Sequence, residues 1–292
     1  MAPQELQNFI GGQWTDTSYD KRAELVDPST GEVFATAPVS SETEVEAAVQ
    51  SAAAAFDGWR DATPSERSLA LIRIADAIEA RADEFVKAES QNTGKPVALT
   101  ASEEIPPMVD QIRFFAGAAR MLQGLSAGEY MTGFTSMIRR EPIGVCAAVT
   151  PWNYPMMMGV WKWAPALAAG NTMVLKPSDT TPVTSLLMAE LMSEFLPPGV
   201  FNVITGDRDT GRALIAHPLP VIDTICGTGC ATRARPESRS PVITLNTPGG
   251  RNSLISSAMS REVTGVVSDG LSTMVLPAAR AGAHFQTPII IG

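Results

Sequence analysis

Val145-Cys146-Ala147-Ala148-Val149-Thr150, followed by Pro151-Trp152-Asn153-Tyr154-Pro155, decides the fold. The first piece is a short apolar run that reads as a strand buried on both faces, and the second is a proline-stiffened turn with polar content. A helical pattern starts near Met156 and stops at Gly170-Asn171, a good helix end. The texture then repeats. Apolar runs at 172–175, 201–205, 222–226 and 242–245 alternate with helical patterns opening near Pro182 and Asp209. Strands some 20–30 residues apart with a helix between them predict βαβ units and a parallel sheet. Right-handed crossovers make that sheet doubly wound and place its binding loops at the carboxyl ends of the strands. The polar and glycine-rich pieces fall at those ends: Pro151-Trp152-Asn153, Lys176-Pro177-Ser178-Asp179, the loop 206–211, and Gly227-Thr228-Gly229.

Upstream, residues 9–38 read as short strands and turns. Gly11-Gly12 is suited to a tight hairpin, and Asp27-Pro28-Ser29-Thr30-Gly31 to a second turn. Two capping boxes open helices: Ser41 with Glu44, and Thr63 with Glu66 after Pro64 at the first helical position. Leu71, Ile74, Ala75 and Ile78 form one core stripe, and Met108, Ile112, Phe115 and Ala119 form another.

The 292 residues give a length prior of about two domains. A 45% hydrophobic content and 18% charged content exclude a largely disordered chain. No apolar stretch is long enough to span a membrane, and the first residues lack the basic and apolar regions of a signal peptide. Three cysteines make no disulfide framework and predict a reducing, cytoplasmic setting. With two histidines, and no ligand pair to join Cys226 and Cys230, no metal site is expected. A net charge of −9 opposes nucleic-acid binding. The charge is uneven. Residues 219–292 hold six Arg, no Lys, two Asp and two Glu, a sum of +2, so residues 1–218 carry −11.

Several residues carry candidate chemistry. Asn153, fixed at a strand end, can serve as an oxyanion donor or simply cap its own turn. Lys176 can donate to ribose hydroxyls or a phosphate and Asp179 can accept from ribose hydroxyls, or the two form a surface pair at a helix start. Gly206 and Gly211 bracket a helix opening whose bare N–H groups could face a pyrophosphate. Cys146 lies inside a strand and reads as core. His217-Pro218 reads as a helix end.

These residues together resemble the NAD(P)-dependent aldehyde dehydrogenases, nearest to the amino-aldehyde and betaine-aldehyde branch. The resemblance is carried by Arg140-Glu141-Pro142-Ile143-Gly144-Val145, Thr150 to Pro155, Ala164-Pro165-Ala166-Leu167-Ala168-Ala169-Gly170-Asn171, Lys176 to Pro182, and Pro198 to Val203 with Gly206 and Gly211. It covers residues 8–217, about the first half of such a protein. It implies a Rossmann-like cofactor domain over residues 1–245, with a bridging hairpin near 128–141 that assembles oligomers. Residues 246–292 would then be a remnant of an incomplete catalytic domain. Further, it implies NAD or NADP as cofactor, a small aldehyde as substrate, and a homo-oligomer or a full-length homologue as partner. Asn153 would be the oxyanion-hole amide, Trp152 would line the passage to the nicotinamide, and Lys176 and Asp179 would hold the adenosine ribose. Gly206 and Gly211 would let the backbone approach the cofactor, while Gly227 and Thr228 would meet the pyrophosphate.

Past residue 218 the likeness fades. The family's Leu-Glu-Leu-Gly-Gly-Lys segment, whose Glu is the general base, corresponds to Leu245-Asn246-Thr247-Pro248-Gly249-Gly250-Arg251. An amide takes up no proton at neutral pH. The nucleophilic cysteine is expected near Arg280, yet no cysteine follows Cys230. Cys226, at a strand end, is the one surrogate in reach. The expectation is therefore a family member impaired in catalysis. The alternatives are a non-catalytic nucleotide-binding or oligomer-interaction protein, and a degenerate gene remnant. The apolar faces and sheet edge that an incomplete fold leaves uncovered predict self-association.

Overall fold

The computed structural model describes residues 3–15, 17, 21–131, 134–219, 221–222, 260–268 and 274–277. Among these, the chain is a mixed α/β fold built on one central sheet. The runs from residue 145 onward form parallel strands β8 (Val145–Val149), β9 (Thr172–Lys176), β10 (Phe201–Val203) and β11 (Val221–Ile222). Helices α6 (Pro155–Ala168), α7 (Val183–Met192) and α8 (Arg208–Ala216) connect them. Spatially the order is β11-β8-β9-β10. The chain steps outward from β8 to β10 and then returns through α8 to the other side of β8. The gap between β8 and β11 is therefore the topological switch point, where open α/β sheets bind their ligands.

Right-handed crossovers in opposite directions must place their helices on opposite faces, and they do. On one face, α6 and α7 pack with α2 (Pro64–Ala80), α3 (Ala82–Thr93) and α5 (Ile105–Ala118) around Trp163, Met156, Leu71, Ile74, Met108 and Ile112. On the other, α8 packs with α1 (Glu42–Asp61) through Val45, Val49, Val174, Ile204 and Leu214. Both capping boxes form: Glu44 accepts from the Ser41 N–H at 2.7 Å and Glu66 from the Thr63 N–H at 2.7 Å.

Closure of α6 shows how distant residues share one helix end. Gly170 sits in the left-handed region at φ 91°, and the Asn171 N–H reaches back to the Ala166 carbonyl at 3.0 Å. The remaining carbonyls are taken by buried side chains: Trp59 Nε1 donates to Leu167 at 3.1 Å and Arg67 Nε to Ala168 at 3.1 Å. Asn171 Oδ1 in turn accepts from the Ile143 and Gly144 N–H groups just before β8.

The hairpin β2 (Asn8–Ile10) and β3 (Gln13–Thr15) turns at Gly11 and Gly12, with φ 65° and 80°, the conformation a two-residue primed turn demands. It extends the central sheet by pairing antiparallel with β10 at Phe9 and Val203. Asn8 and Asn202, both fully buried, bond across this junction. Strands β1 (Gln4–Glu5), β4 (Arg22–Val26) and β5 (Val33–Pro38) make a small separate sheet.

The expected hairpin is β6 (Leu125–Met131) with β7 (Phe134–Pro142). Against the far edge of β7 lies β12 (Ser260–Ser268), antiparallel, followed by β13 (Met274–Pro277). The predicted strand at 242–245, the boundary at 245/246, and Cys226, Gly227, Thr228, Cys230, Asn246 and His284 lie outside the described residues. Among the described residues no helix is long and apolar enough to cross a membrane, and no cluster of His, Cys, Asp or Glu suits a metal.

Candidate functional site

Trp152, Asn153, Lys176, Asp179 and Gly206 stand at or just beyond the carboxyl ends of the parallel strands. β8 and β9 are in register with Val149 opposite Lys176, and the Thr150 N–H donates to the Lys176 carbonyl at 3.0 Å. The Asn153 turn and Lys176 therefore leave adjacent strand ends. Gly206 follows β10, whose Val203 faces Leu175.

Lys176 is 4% exposed. Among the described residues its ammonium makes one hydrogen bond, to the Pro177 carbonyl at 2.9 Å. Burial lowers its pKa to about 8, against the pull of the Asp179 and Asp207 carboxylates. Its stem lies beneath α8, where a Cβ on Gly211 would stand 3.6 Å from Lys176 Cδ. Asp179 is exposed and accepts from Ser178 Oγ at 3.1 Å, so no direct Lys176–Asp179 pair forms.

Gly206, at φ 153°, is needed for its own loop: a Cβ there would collide with the Thr210 side chain. The opening of α8 differs from the expectation of bare N–H groups. Asp207 caps the helix, accepting from the Asp209 and Thr210 N–H groups at 2.9 and 3.3 Å, and Lys21 neutralises it at 2.9 Å. A carboxylate already occupies the positive end of that helix.

Trp152 (66% exposed), Asn153 and Tyr154 (44% exposed) face outward from the turn after β8. Asn153 does not cap α6, whose N-cap is Tyr154 with no side-chain cap bond. Cys146 is 1% exposed within β8, as expected of a core thiol. His217 closes α8, donating from Nε2 to Glu46 of α1 at 2.8 Å while Nδ1 accepts from the Leu219 N–H at 3.2 Å.

Two features are absent from the sequence-based candidates. Asp207 as N-cap was legible in the Asp-Arg-Asp-Thr spelling at 207–210. The cluster of Lys95 with Glu89, Glu104 and Tyr154 was not, because Tyr154 of the turn after β8 is brought from 50 or more residues away to Lys95, to Glu89 of α3 and to Glu104 at the start of α5. A cleft lined by Phe9, Met192, Leu196 and Phe201 lies at the amino end of β10, opposite the strand ends that carry the candidates.

A doubly wound α/β chain with a buried lysine and an exposed Trp-Asn-Tyr turn beside its switch point is the class that fold and site define. Residues 14–236 match the model of the aldehyde dehydrogenase family, and the chain belongs to that family. It is 38% identical over 262 residues to phenylacetaldehyde dehydrogenase of Pseudomonas fluorescens, covering 82% of this chain and 52% of that protein. It is 43% identical over 223 residues to 2-aminomuconic semialdehyde dehydrogenase of Bos taurus, covering 74% and 45%. Among solved structures it resembles the NAD+ complex of an aldehyde dehydrogenase from Bacillus cereus, at TM-score 0.73 and 32% identity over 75% of this chain and 46% of that one. The NAD complex of PnpE gives TM-score 0.73 and 37% identity over 75% and 45%. The chain spans about half the length of the curated relatives it matches.

Proposed function

We propose that residues 1–245 form an NAD(P)-binding unit that holds the dinucleotide across the carboxyl ends of β8, β9 and β10. The observation that carries this is Lys176: a buried ammonium at a strand end, one of its hydrogen bonds spent on a carbonyl, its stem packed beneath α8 at Gly211. Two of its N–H groups are left for acceptors such as ribose hydroxyls. Asp179, exposed on the same loop, would accept from those hydroxyls and repel a 2′-phosphate, a reading that leans towards NAD over NADP. Trp152 and Asn153 would border the nicotinamide end, and Gly227 and Thr228 the pyrophosphate. When bound, the nicotinamide supplies a hydride acceptor. This chain's own share is to hold the ribose, shield one side with Trp152, and offer the Asn153 amide to a developing oxyanion.

Aldehyde oxidation is the family chemistry, but in these 292 residues it lacks two groups. A nucleophile must first convert the planar carbonyl into a tetrahedral hydride donor, and a base must activate the water that releases the acyl group. Cys146 is sealed in β8. Cys226 and Cys230 precede the region where the nucleophile is expected, and Asn246 stands in for the base. We expect NAD to bind in the ~0.1–10 mM range and aldehydes not to be turned over at a useful rate. Calorimetry with NAD, then NADH production from an aldehyde panel beside Cys226→Ser, tests both parts. Absence of binding heat and of thermal shift at high NAD overturns the binding reading. Robust NADH formation in both proteins overturns the catalytic one, and activity lost only in Cys226→Ser assigns the nucleophile to Cys226.

A further inference from the structure

The turn from α3 into α4 (Val97–Glu103) carries a lysine whose surroundings are unusually fixed. Gly94, at φ 76°, ends α3 and lies against Pro28, where a Cβ would come 3.1 Å from Pro28 Cβ. The Lys95 main chain is then held from both sides: its N–H donates to Thr93 Oγ1 at 3.3 Å, and its carbonyl accepts from Ser90 Oγ at 2.6 Å. The ammonium donates to Glu89 Oε1 at 2.9 Å and to Glu104 Oε1 at 2.5 Å. Both carboxylates are buried, at 0% and 2% exposure, and Glu89 Oε2 is bound by Thr184 Oγ1 of α7 at 2.8 Å. Lys95 is thus anchored to the α3, α5 and α7 side of the domain before it reaches anything else.

What it reaches is Tyr154. The Lys95 ammonium stands 4.5 Å from the centroid of that ring, within cation–π range. An ammonium has three N–H donors, and two are spent on the carboxylates. Tyr154 belongs to the turn after β8, has the non-helical backbone of an N-cap, and makes no side-chain cap bond. Between Pro151 and Pro155 the main chain has few ways to turn, so the direction of one ring restricts its neighbours.

We propose that Lys95 is a positioning residue for the switch-point turn: its ammonium, clamped by Glu89 and Glu104, holds the Tyr154 ring and thereby sets the direction in which Trp152 and Asn153 face. The role of that turn toward the cofactor rests on the reading above; the clamp itself does not.

The test is ¹⁹F NMR of the full chain carrying 5-fluorotryptophan, first without NAD. The five tryptophans give five lines, and Trp152→Phe assigns the one that matters. Lys95→Met and Tyr154→Leu should each move or split the Trp152 line beyond its width. The lines of buried Trp59 and Trp163 should stay. Tyr154→Phe, which keeps the ring, and Lys95→Arg, which keeps the cation, should restore the parent line. If Lys95→Met does not fold, the Leu and Phe variants at Tyr154 still decide the matter. A Trp152 line unmoved in Tyr154→Leu overturns the proposal. So does movement of all five lines together in that variant, which would give Tyr154 a general structural role. NAD added to the parent then examines the cofactor reading alone: no response of the Trp152 line counts against that reading and leaves the ligand-free result standing.

Discussion

Two lysines differ in their partners: Lys95, against Tyr154 of the turn after β8, and Lys176, at the end of β9. Lys95 is held by two carboxylates and a ring. Lys176 has a carbonyl within hydrogen-bond reach, with Asp179 and Asp207 acting on it only through space. A cation already matched by carboxylates is part of the architecture. A cation buried without one carries an unsatisfied demand that a ligand can meet. The second arrangement costs stability in the free protein, and that cost supports the binding role proposed for Lys176.

The sharpest way to break this comparison is to replace each lysine by methionine. Lys95→Met leaves Glu89 and Glu104 facing one another in a buried pocket without their cation. It should destabilise by about 2–4 kcal/mol, somewhat below the loss for a fully buried pair because the Lys95 side chain is 21% exposed. Lys176→Met removes a charge that has no carboxylate at bonding distance, and should be neutral or stabilising by up to about 2 kcal/mol. Urea unfolding of both variants measures the difference. Equal losses at the two positions would mean that Lys176 is as structural as Lys95.

A second prediction turns the comparison into a pH dependence. The Lys176 pKa is lowered from 10.5 to about 8 in the folded protein. Between those two values the unfolded chain binds a proton that the folded chain has released. Stability therefore rises with pH across that window, and below it the cost of burying the ammonium is fully present. The gain attributable to Lys176 is about 3 kcal/mol. It is read as the difference between parent and Lys176→Met stability curves from pH 7 to 11. NAD that bonds the ammonium form should bind more weakly as pH passes 8, and Lys176→Met should lose that dependence.

How much of this was legible in the sequence follows from the range of the interactions. The strand–helix alternation from Val145 to Ala216, both capping boxes and the Gly170-Asn171 stop are local patterns, and they are present in the structure. The addition of β2 to β10 and of β12 to β7 joins segments far apart in the chain, and periodicity carries no information about such partners. The same holds within the site. Lys176 ends its strand and Asn153 and Gly206 follow theirs within four residues, so placing the strands placed them. The N-cap preference of Asp puts Asp207 at the opening of α8, whereas the glycine spacing around it, taken alone, suggests an open anion site. The Lys95 clamp depends on α3, α5, α6 and α7 meeting at one point, which only the packed domain supplies.

The smallest expected effect is at Gly211, where the two pockets' logic meets the cofactor reading most closely. Gly211 is helical, and a Cβ on it would meet Lys176 Cδ at 3.6 Å and Cε at 3.8 Å, ordinary van der Waals distances. Alanine should therefore fit the free protein and stabilise α8 by about 0.5–1 kcal/mol, the usual gain of Gly→Ala in a helix. Gly206→Ala is the contrasting control: its Cβ would fall 2.7 Å from Thr210 Cβ at φ 153°, and it should destabilise. If Gly211 is glycine so that the dinucleotide can approach α8 over Lys176, Gly211→Ala raises the melting temperature while weakening NAD binding. If it is glycine merely to admit the lysine stem, stability rises and NAD affinity holds. Thermal melts and NAD titrations on the same protein separate the two, because the close-approach role requires stability and affinity to move in opposite directions.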